Sequence, residues 1–582
     1  MNNWIYVYVC IYILPGKSNM SIFLGLHFQI AMEICYSMFI APFTTILSFS
    51  TLLVFITFAL CHLFKLQRQR NAQKHKQPSL PPGPKPWPIV GNLPELIINK
   101  KKTSVSHWIH SFMKEMTTEI ACIRLGNVHV IPVTCPEISL QFMGKQDAIF
   151  ASRPLTMATD VLSKGHLTTI FSPLGDQWRK MKRVMVSEML SRERHRWLHE
   201  KRVEEADNLV RYVLNQCKNG DEGGLVDLRL VARHYCCSVM KKLIFNGGYL
   251  GEGKADGGPG FEEEEYVDAI LALVIHLYSF CISDYWPFLR GLDLEGHEKI
   301  VQDATRILEK YNNPIIEDRI QQWRDGKKHE PQDLLDVLVS LTDDNGTPLL
   351  SADEIKALVN EIMIASVDNP SNNLEWALAE MLNKPETLQK ARDELDTVVG
   401  KHRLIQESDV PQLNYTKECA REAFRLHPVA PFSPPHVSVT DTTVGDYFIP
   451  KGSHVIVSRI GLGRNPKVWD EPGEFKPERH LQDCNKGQEV VLKEPDMRLF
   501  TFGRGRRGCP GVVLGSLMTT MLFARLLQGF DWSIPTNQGT IDLCPGRGVP
   551  FLAKPLLAVA KPRLPPHVYS FSTESEIQCL TS

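Results

Sequence analysis

Cys509 stands in a run of residue types suited to holding a reactive thiolate: Phe502-Gly-Arg-Gly505-Arg-Arg507-Gly-Cys509-Pro-Gly511, followed by the apolar helical run Val512 to Phe530. Glycines let backbone fold closely beneath a flat macrocycle, neighbouring N–H groups and a helix N-terminus stabilise the thiolate, and an arginine can pair a carboxylate of the ligand. A second group of charges lies upstream. Glu422 and Arg425, at i, i+3 in REAFRLHP, share a helix face and can pair locally, and Arg479 in FKPERH can close a network with them. Further upstream, Trp178-Arg-Lys-Met-Lys182 sets an aromatic ring and a cation at helical spacing. Between these groups lies Asp368-Asn369-Pro370, in a long helix expected to begin at Ser351, where Ser351 and Glu354 make a capping box. Pro370 cannot donate to the Ser366 carbonyl and is expected to kink that helix.

The cysteine loop resembles that of the cytochrome P-450 superfamily, whose pattern FxxGxRxCxG is matched at every fixed position by Phe502, Gly505, Arg507, Cys509 and Gly511. Chance produces such a match on the order of once in 10⁴ chains of this size. Glu422-Ala-Phe-Arg425 matches the ExxR motif, and Arg479 falls in the segment that completes its charge triad. Trp178 and Lys182 resemble the helix that contacts the haem propionates, although the family usually has arginine at the second place. Lysine keeps the charge and loses the bidentate fork. The resemblance implies a mainly α cytochrome P-450 fold with a small β region, and an apolar run ahead of it is expected to add one N-terminal transmembrane helix. It also implies haem b with Cys509 as the axial iron ligand. Electrons are expected from NADPH through NADPH-cytochrome P-450 reductase, because the chain has no nucleotide-binding motif of its own. Lys180, Arg183, Arg504 and Arg506 are the expected docking patch.

The departure from the superfamily is as informative as the match. Most of its monooxygenases carry an acid followed by threonine over the haem; here the run is Ala365-Ser-Val-Asp368-Asn369-Pro370. Together with EAFRLHPVAPFSPPHVS and FKPERH, the Asn-Pro pair resembles the plant amino-acid N-monooxygenases, family 79 of these cytochromes. That resemblance implies conversion of an L-amino acid to its aldoxime by two N-hydroxylations, then dehydration and decarboxylation, as in plant defence-compound biosynthesis. The small-molecule substrate is expected among Phe, Tyr, Trp, Val, Ile, Leu and Met. Asp368 and Asn369 are candidates for proton delivery or for positioning water; the competing reading has Asp368 only satisfying the kinked helix. Residues Val429 to His436 are expected near the substrate, and Arg153 either holds its carboxylate or plays a structural role. Two rival activities stand beside this one: a plant carbon hydroxylase, and an oxygen-independent haem isomerase or dehydratase.

Composition agrees. The chain has 582 residues, 43% apolar and 23% charged, enough for a large core. Lys+Arg at 65 against Asp+Glu at 66 leaves no global basic field to recruit nucleic acid. Fourteen cysteines lack both a disulfide framework and the CxxC pairs of a zinc site, which suits a reducing compartment.

Residues 38–64 contain ILSFSTLLVFITFALCHLF, long and apolar enough to span a bilayer, and Lys65, Arg68, Arg70, Lys74 and Lys76 follow it. The positive-inside rule then places everything downstream in the cytosol, and the resemblance to plant microsomal members implies a single-pass protein of the endoplasmic reticulum membrane. Residues 1–37 are an extension without assigned function, with Met20, Met32 and Met38 as alternative starts. A basic and proline-rich hinge is expected over 65–94, the haem-thiolate domain over 95–569 and a polar tail over 570–582. The body reads as one mainly helical domain, with helices such as EEADNLVRYVLNQC and GSLMTTMLFARLLQGF and short strands such as VHVIPV and SHVIVS. The glycine-rich stretch 246–260 lacks a phosphate-binding pattern, and His195 with His199 lies among charged residues on a solvated face.

Overall fold

The computed structural model describes residues 51, 54–59, 61–62, 65, 78–218, 224–247, 250–483, 489–493 and 496–570. Contacts divide the chain into two units, Met1–Pro78 and Ser79–Ser582. In the first, the described residues between 51 and 65 are helical and exposed, among them Val54, Phe55 and Phe58. The remainder of the expected anchor, the extension 1–37 and residues 571–582 lie outside the described residues.

The second unit is helical around one long axle. The helices that build the site are α1 (Asp176–Val184), α2 (His199–Cys217), α3 (Leu228–Phe245), α4 (Phe261–His276), α5 (His297–Arg324), α6 (Ala352–Asn383), α7 (Asn414–Leu426) and α8 (Val512–Gly529). Helix α6 begins where the sequence places it: the Ser351 hydroxyl accepts the Glu354 N–H at 3.2 Å, and the Glu354 carboxylate accepts the Ser351 N–H at 2.8 Å. It runs unbroken through Pro370 for 32 residues and packs against α3, α4, α5, α7 and α8. From Val367 to Leu382 nearly every residue is buried, polar ones such as Asn372, Asn373 and Glu375 included.

Among the described residues the strands are β1 (Ile123–Leu125), β2 (Val128–Val133), β3 (Gly224–Asp227), β4 (His436–Val437), β5 (Thr442–Val444), β6 (Tyr447–Ile449), β7 (His454–Val457), β8 (Phe530–Ser533) and β9 (Leu557–Pro562). They form a four-stranded sheet β1-β2-β7-β4, a three-stranded sheet β3-β9-β8 and a hairpin β5-β6. VHVIPV and SHVIVS are thus the parallel pair β2 and β7, with Ile131 opposite Val455. The proline-rich stretch is part of this body from Ser79 onward. Its Pro82 carbonyl accepts the Cys122 N–H at 2.8 Å and its Ser79 carbonyl the Phe448 N–H at 2.9 Å.

Helix α8 is the one described helix long and apolar enough to cross a membrane, and it is a core helix instead. Most of it is buried, and Arg525 within it, fully buried, pairs with Asp207 of α2 at 2.7 Å.

Candidate active site

Cys509 and the middle of α6 line the same cavity. The loop carrying Cys509 is closed by its own N–H, which donates to the Phe502 carbonyl at 2.8 Å, and α8 starts three residues later. The side chain is accessible on its cavity side. It lies deep enough that burial is the leading influence and pushes the thiol up, while the Gly511 N–H, Lys493 and Arg459 act the other way. Phe502 and Gly511 line the cavity beside it. Gly505, the other glycine expected there, is not among the lining residues. Its φ of +71° and the Met143 carbonyl, which a Cβ would approach to 2.6 Å, are what require glycine there. Gly503, Gly508 and Gly515 are the glycines that face the cavity with Gly511.

Cations gather on one side. Arg507 lies 4.4 Å from the centroid of the buried Trp178 ring, and Lys182 stacks on the same ring at 5.0 Å. Arg507 donates to the carbonyls of Ala151 at 2.5 Å, Thr169 at 3.0 Å and Ser172 at 2.7 Å. Burial, then the nearby Arg153, pulls its guanidinium down to about 9. Arg153 is itself buried, lines the cavity and donates to the carbonyls of Ile170, Pro434 and Pro435. Its visible bonds are structural ones. Arg459, which sequence reasoning missed, also lines the cavity and donates to the Phe500 and Phe432 carbonyls. Of the segment expected near a substrate, Val429, Pro434 and His436 line the cavity.

The face that α6 turns to the cavity consists of Glu361, Ile362, Ala365, Ser366, Asn369 and Pro370. Positions 361, 365 and 369 recur every four residues and so form one stripe. Asn369 does not leave its amide free: Nδ2 donates to the Ala365 carbonyl at 2.7 Å. Asp368 is off that stripe. It is 2% exposed, does not line the cavity, and sits instead near Arg233 and Arg229 of α3. Of the two expected candidates for proton delivery or for positioning water, Asn369 is thus on the cavity and Asp368 one layer behind it. Burial pushes Asp368 up to about 6 against the pull of Arg233 and then Arg229, and its Oδ1 has no partner among the described residues. Glu361 was not anticipated at all, although its position two turns before Asn369 is visible in the sequence.

Behind the cavity the expected charge triad is assembled, with additions. Glu422 receives Arg425 through both oxygens at 2.8 Å, Arg479 at 3.0 Å, the Lys476 N–H at 2.9 Å and His480 at 2.8 Å. Arg425 also donates to the carbonyls of Gly463, Pro472 and Glu474. Trp469 lies under the Arg425, Arg479 and Arg498 guanidinium groups. His480 and Trp469 are the members that the motif alone did not supply. On the outer side of the site Arg183 and Arg506 are exposed, but Lys180 is paired with Glu354 through both of its oxygens, at 2.7 and 2.8 Å. Lys180 therefore belongs to the anchoring of α6 and not to a free basic patch.

This donor set fits a haem. One cysteine sulfur stands near a helix N-terminus, and the cavity around it is lined by Ala365, Val429, Phe502 and Leu514. Two cations stacked on Trp178 offer partners for carboxylates at one edge. The family model of cytochrome P450 matches residues 81–558, and the chain belongs to that family. It is a haem-thiolate monooxygenase that uses haem b and takes electrons from NADPH by way of a redox partner.

The chain is similar to plant enzymes over most of its length. It is 55% identical to a phenylalanine N-monooxygenase of Prunus mume, across 90% of this chain and 98% of that one. To an isoleucine N-monooxygenase of Lotus japonicus it is 56% identical across 87% and 94%, and to a tyrosine N-monooxygenase of Sorghum bicolor 54% across 84% and 88%. A solved zebra fish cytochrome P450 with progesterone shares the fold, with a TM-score of 0.64 at 22% identity over 78% of this chain and 99% of the other.

Proposed function

We propose that this enzyme N-hydroxylates an L-amino acid twice and releases the corresponding aldoxime, for plant defence-compound biosynthesis. The observation that carries the reading is that Asn369 and Pro370 line the cavity of Cys509; by the resemblance, Asn369 stands where general monooxygenases of the family have threonine. The names of the similar plant enzymes support it, and because those names differ in the amino acid, they support the class of substrate and not one side chain.

Cys509 is the ligand of the haem iron. Arg507 and Lys182, ordered on Trp178, would hold the propionates, and Phe502 and Gly511 would help to hold the group. When bound, the haem supplies reductive activation of O2. Each N-hydroxylation consumes one O2 and one NADPH, and loss of water and CO2 from the twice-hydroxylated amino acid leaves the aldoxime. Val429 and Pro434 shape the substrate's space. Pro370 withholds an N–H from the Ser366 carbonyl, which is left to accept from water or from the substrate nitrogen. Asp368 lies one layer behind, among Arg233 and Arg229.

The enzyme sits in the endoplasmic reticulum membrane on a single span within 38–64, with its body in the cytosol, and NADPH-cytochrome P-450 reductase docks on the side of Arg183, Arg504 and Arg506. The test is to supply microsomes containing the chain and the reductase with Phe, Tyr, Trp, Val, Ile, Leu and Met in turn, and to assay aldoximes. One of them is converted; failure with all seven returns the reading to a carbon hydroxylase.

A further inference from the structure

Glu361 is the one carboxylate among the described residues that line the cavity, against Arg153, Lys182, Arg459, Arg506 and Arg507. It is fully buried, and its two oxygens accept the backbone N–H groups of Thr169 at 3.0 Å and Ile170 at 2.5 Å. No cation pairs with it among the described residues. The Thr168 hydroxyl and the Phe171 N–H act on the same carboxylate, so the donors gathered around it are all neutral. An anion enclosed with only neutral donors in direct contact is costly, and a cationic ligand group lowers that cost. Resting on the reading above, we propose that Glu361 binds the ammonium group of the amino-acid substrate and accepts one proton from it.

The chemistry requires such a step. An ammonium nitrogen has no lone pair, and forming an N–O bond needs one. The transfer is R–NH3⁺ plus the Glu361 carboxylate giving R–NH2 plus the Glu361 carboxylic acid: one N–H bond breaks, one O–H bond forms, and no electron moves. Burial pushes Glu361 up to about 7 against its hydrogen bonds from the Thr168–Phe171 segment. Its proton affinity is thereby closer to that of an amine than an ordinary carboxylate's would be. The charged and titratable groups that face it are Arg507 from the cysteine loop and Tyr278 following α4. Glu361 also lies on the stripe of Ala365 and Asn369, so a nitrogen held there is on the cavity side of α6.

A role confined to clipping Thr169 and Ile170 in place is separated from this one by the ligand used. The haem-loaded full chain and its Glu361→Gln variant are titrated spectroscopically with the tightest-binding of the seven amino acids and with the deaminated carboxylic acid of the same side chain. Glu361→Gln is expected to weaken the amino acid by about tenfold or more and to leave the deaminated acid within about twofold, the loss expected for a buried charge-assisted hydrogen bond. Glu361→Asp, which keeps the charge on a shorter arm, recovers part of the lost affinity. Equal weakening of both ligands, or of neither, overturns the proposal. If Glu361→Gln does not load haem, the native enzyme decides: it must prefer the amino acid to the deaminated acid by about tenfold, and equal affinity overturns the assignment. A native enzyme that binds none of the seven amino acids overturns the amino-acid reading itself, and this proposal with it.

Discussion

Two buried carboxylates, Glu422 on α7 and Asp368 on α6, show how differently one fold treats the same chemical group. Glu422 takes hydrogen bonds from Arg425, Arg479, His480 and the Lys476 backbone, so both oxygens are spent. Asp368 has Arg233 and Arg229 nearby, but its Oδ1 is without a partner among the described residues. A saturated network rigidifies what it touches, and an unsaturated one stores a charge or a proton. The pKa shifts carry the same message. Burial drives both groups up, yet at Glu422 the Arg425 and His480 bonds overcome it and hold the carboxyl down at about 2, whereas Asp368 stays at about 6. The fold ties the segment around Arg479 and His480 to α7 with the first and leaves the second buried against α3, off the cavity.

The comparison breaks most completely if the ligand itself is dispensable. Cys509→Ala is expected to abolish the carbon-monoxide difference band of a thiolate-bound haem and all aldoxime formation, with the far-ultraviolet circular dichroism unchanged. A normal thiolate band in that variant would show that another group holds the iron.

Next in size is Glu422→Gln, which leaves Arg425 and Arg479 without their shared anion. The expected destabilisation is about 3–5 kcal/mol, read as a lower denaturant midpoint and a smaller haem-loaded fraction. Its pH dependence has a definite sign. The folded value of about 2 lies below the ordinary 4.5, so Glu422 contributes fully above about 4.5 and its contribution is lost as pH falls toward 2. The variant should lack that part of the acid limb of the native stability curve.

Asp368→Asn should do the opposite. The folded value of about 6 lies above the ordinary 3.8, so the native chain is most favoured below 3.8 and loses stability as pH rises through 6. Replacing the carboxylate by an amide is therefore expected to raise stability at pH 7.5 by on the order of 2 kcal/mol, with no gain at pH 4. Thermal melts at the two pH values decide it, and a lower melting temperature at pH 7.5 would show that Asp368 is as firmly held as Glu422.

The smallest effect on stability belongs to the double change Asn369→Thr with Pro370→Ser, expected to stay within about 1 kcal/mol of the native chain because both positions face the cavity. Its effect lies in the chemistry: aldoxime yield per NADPH falls and hydrogen peroxide appears. An unchanged yield would make the Asn-Pro step structural variation.

The cysteine loop was legible in the sequence because its parts are contiguous, and Glu422 with Arg425 because they lie within one helical turn. Helix α6 announced its start through Ser351 and Glu354. What the sequence withheld depends on direction or on distance along the chain. Asp368 and Asn369 are neighbours, but about 100° of helical rotation sends one toward α3 and the other into the cavity. Lys180 looked like a free surface cation until the fold brought Glu354 to it. Gly505 matched the motif for a reason the motif does not state, the close approach of the Met143 carbonyl. Glu361 passed as one more residue of the helix that begins at Ser351, because its partners Thr169 and Ile170 lie far upstream.

The central claim is that this haem-thiolate site oxidises the nitrogen of an amino acid. It is tested most directly by incubating the native chain with its reductase, O2, NADPH and each of the seven amino acids, and measuring aldoxime, CO2 and NADPH together. The account predicts one aldoxime and one CO2 for every two NADPH consumed with at least one of the amino acids. A carbon-hydroxylated amino acid that retains its carboxylate, or turnover that proceeds without NADPH, would contradict it.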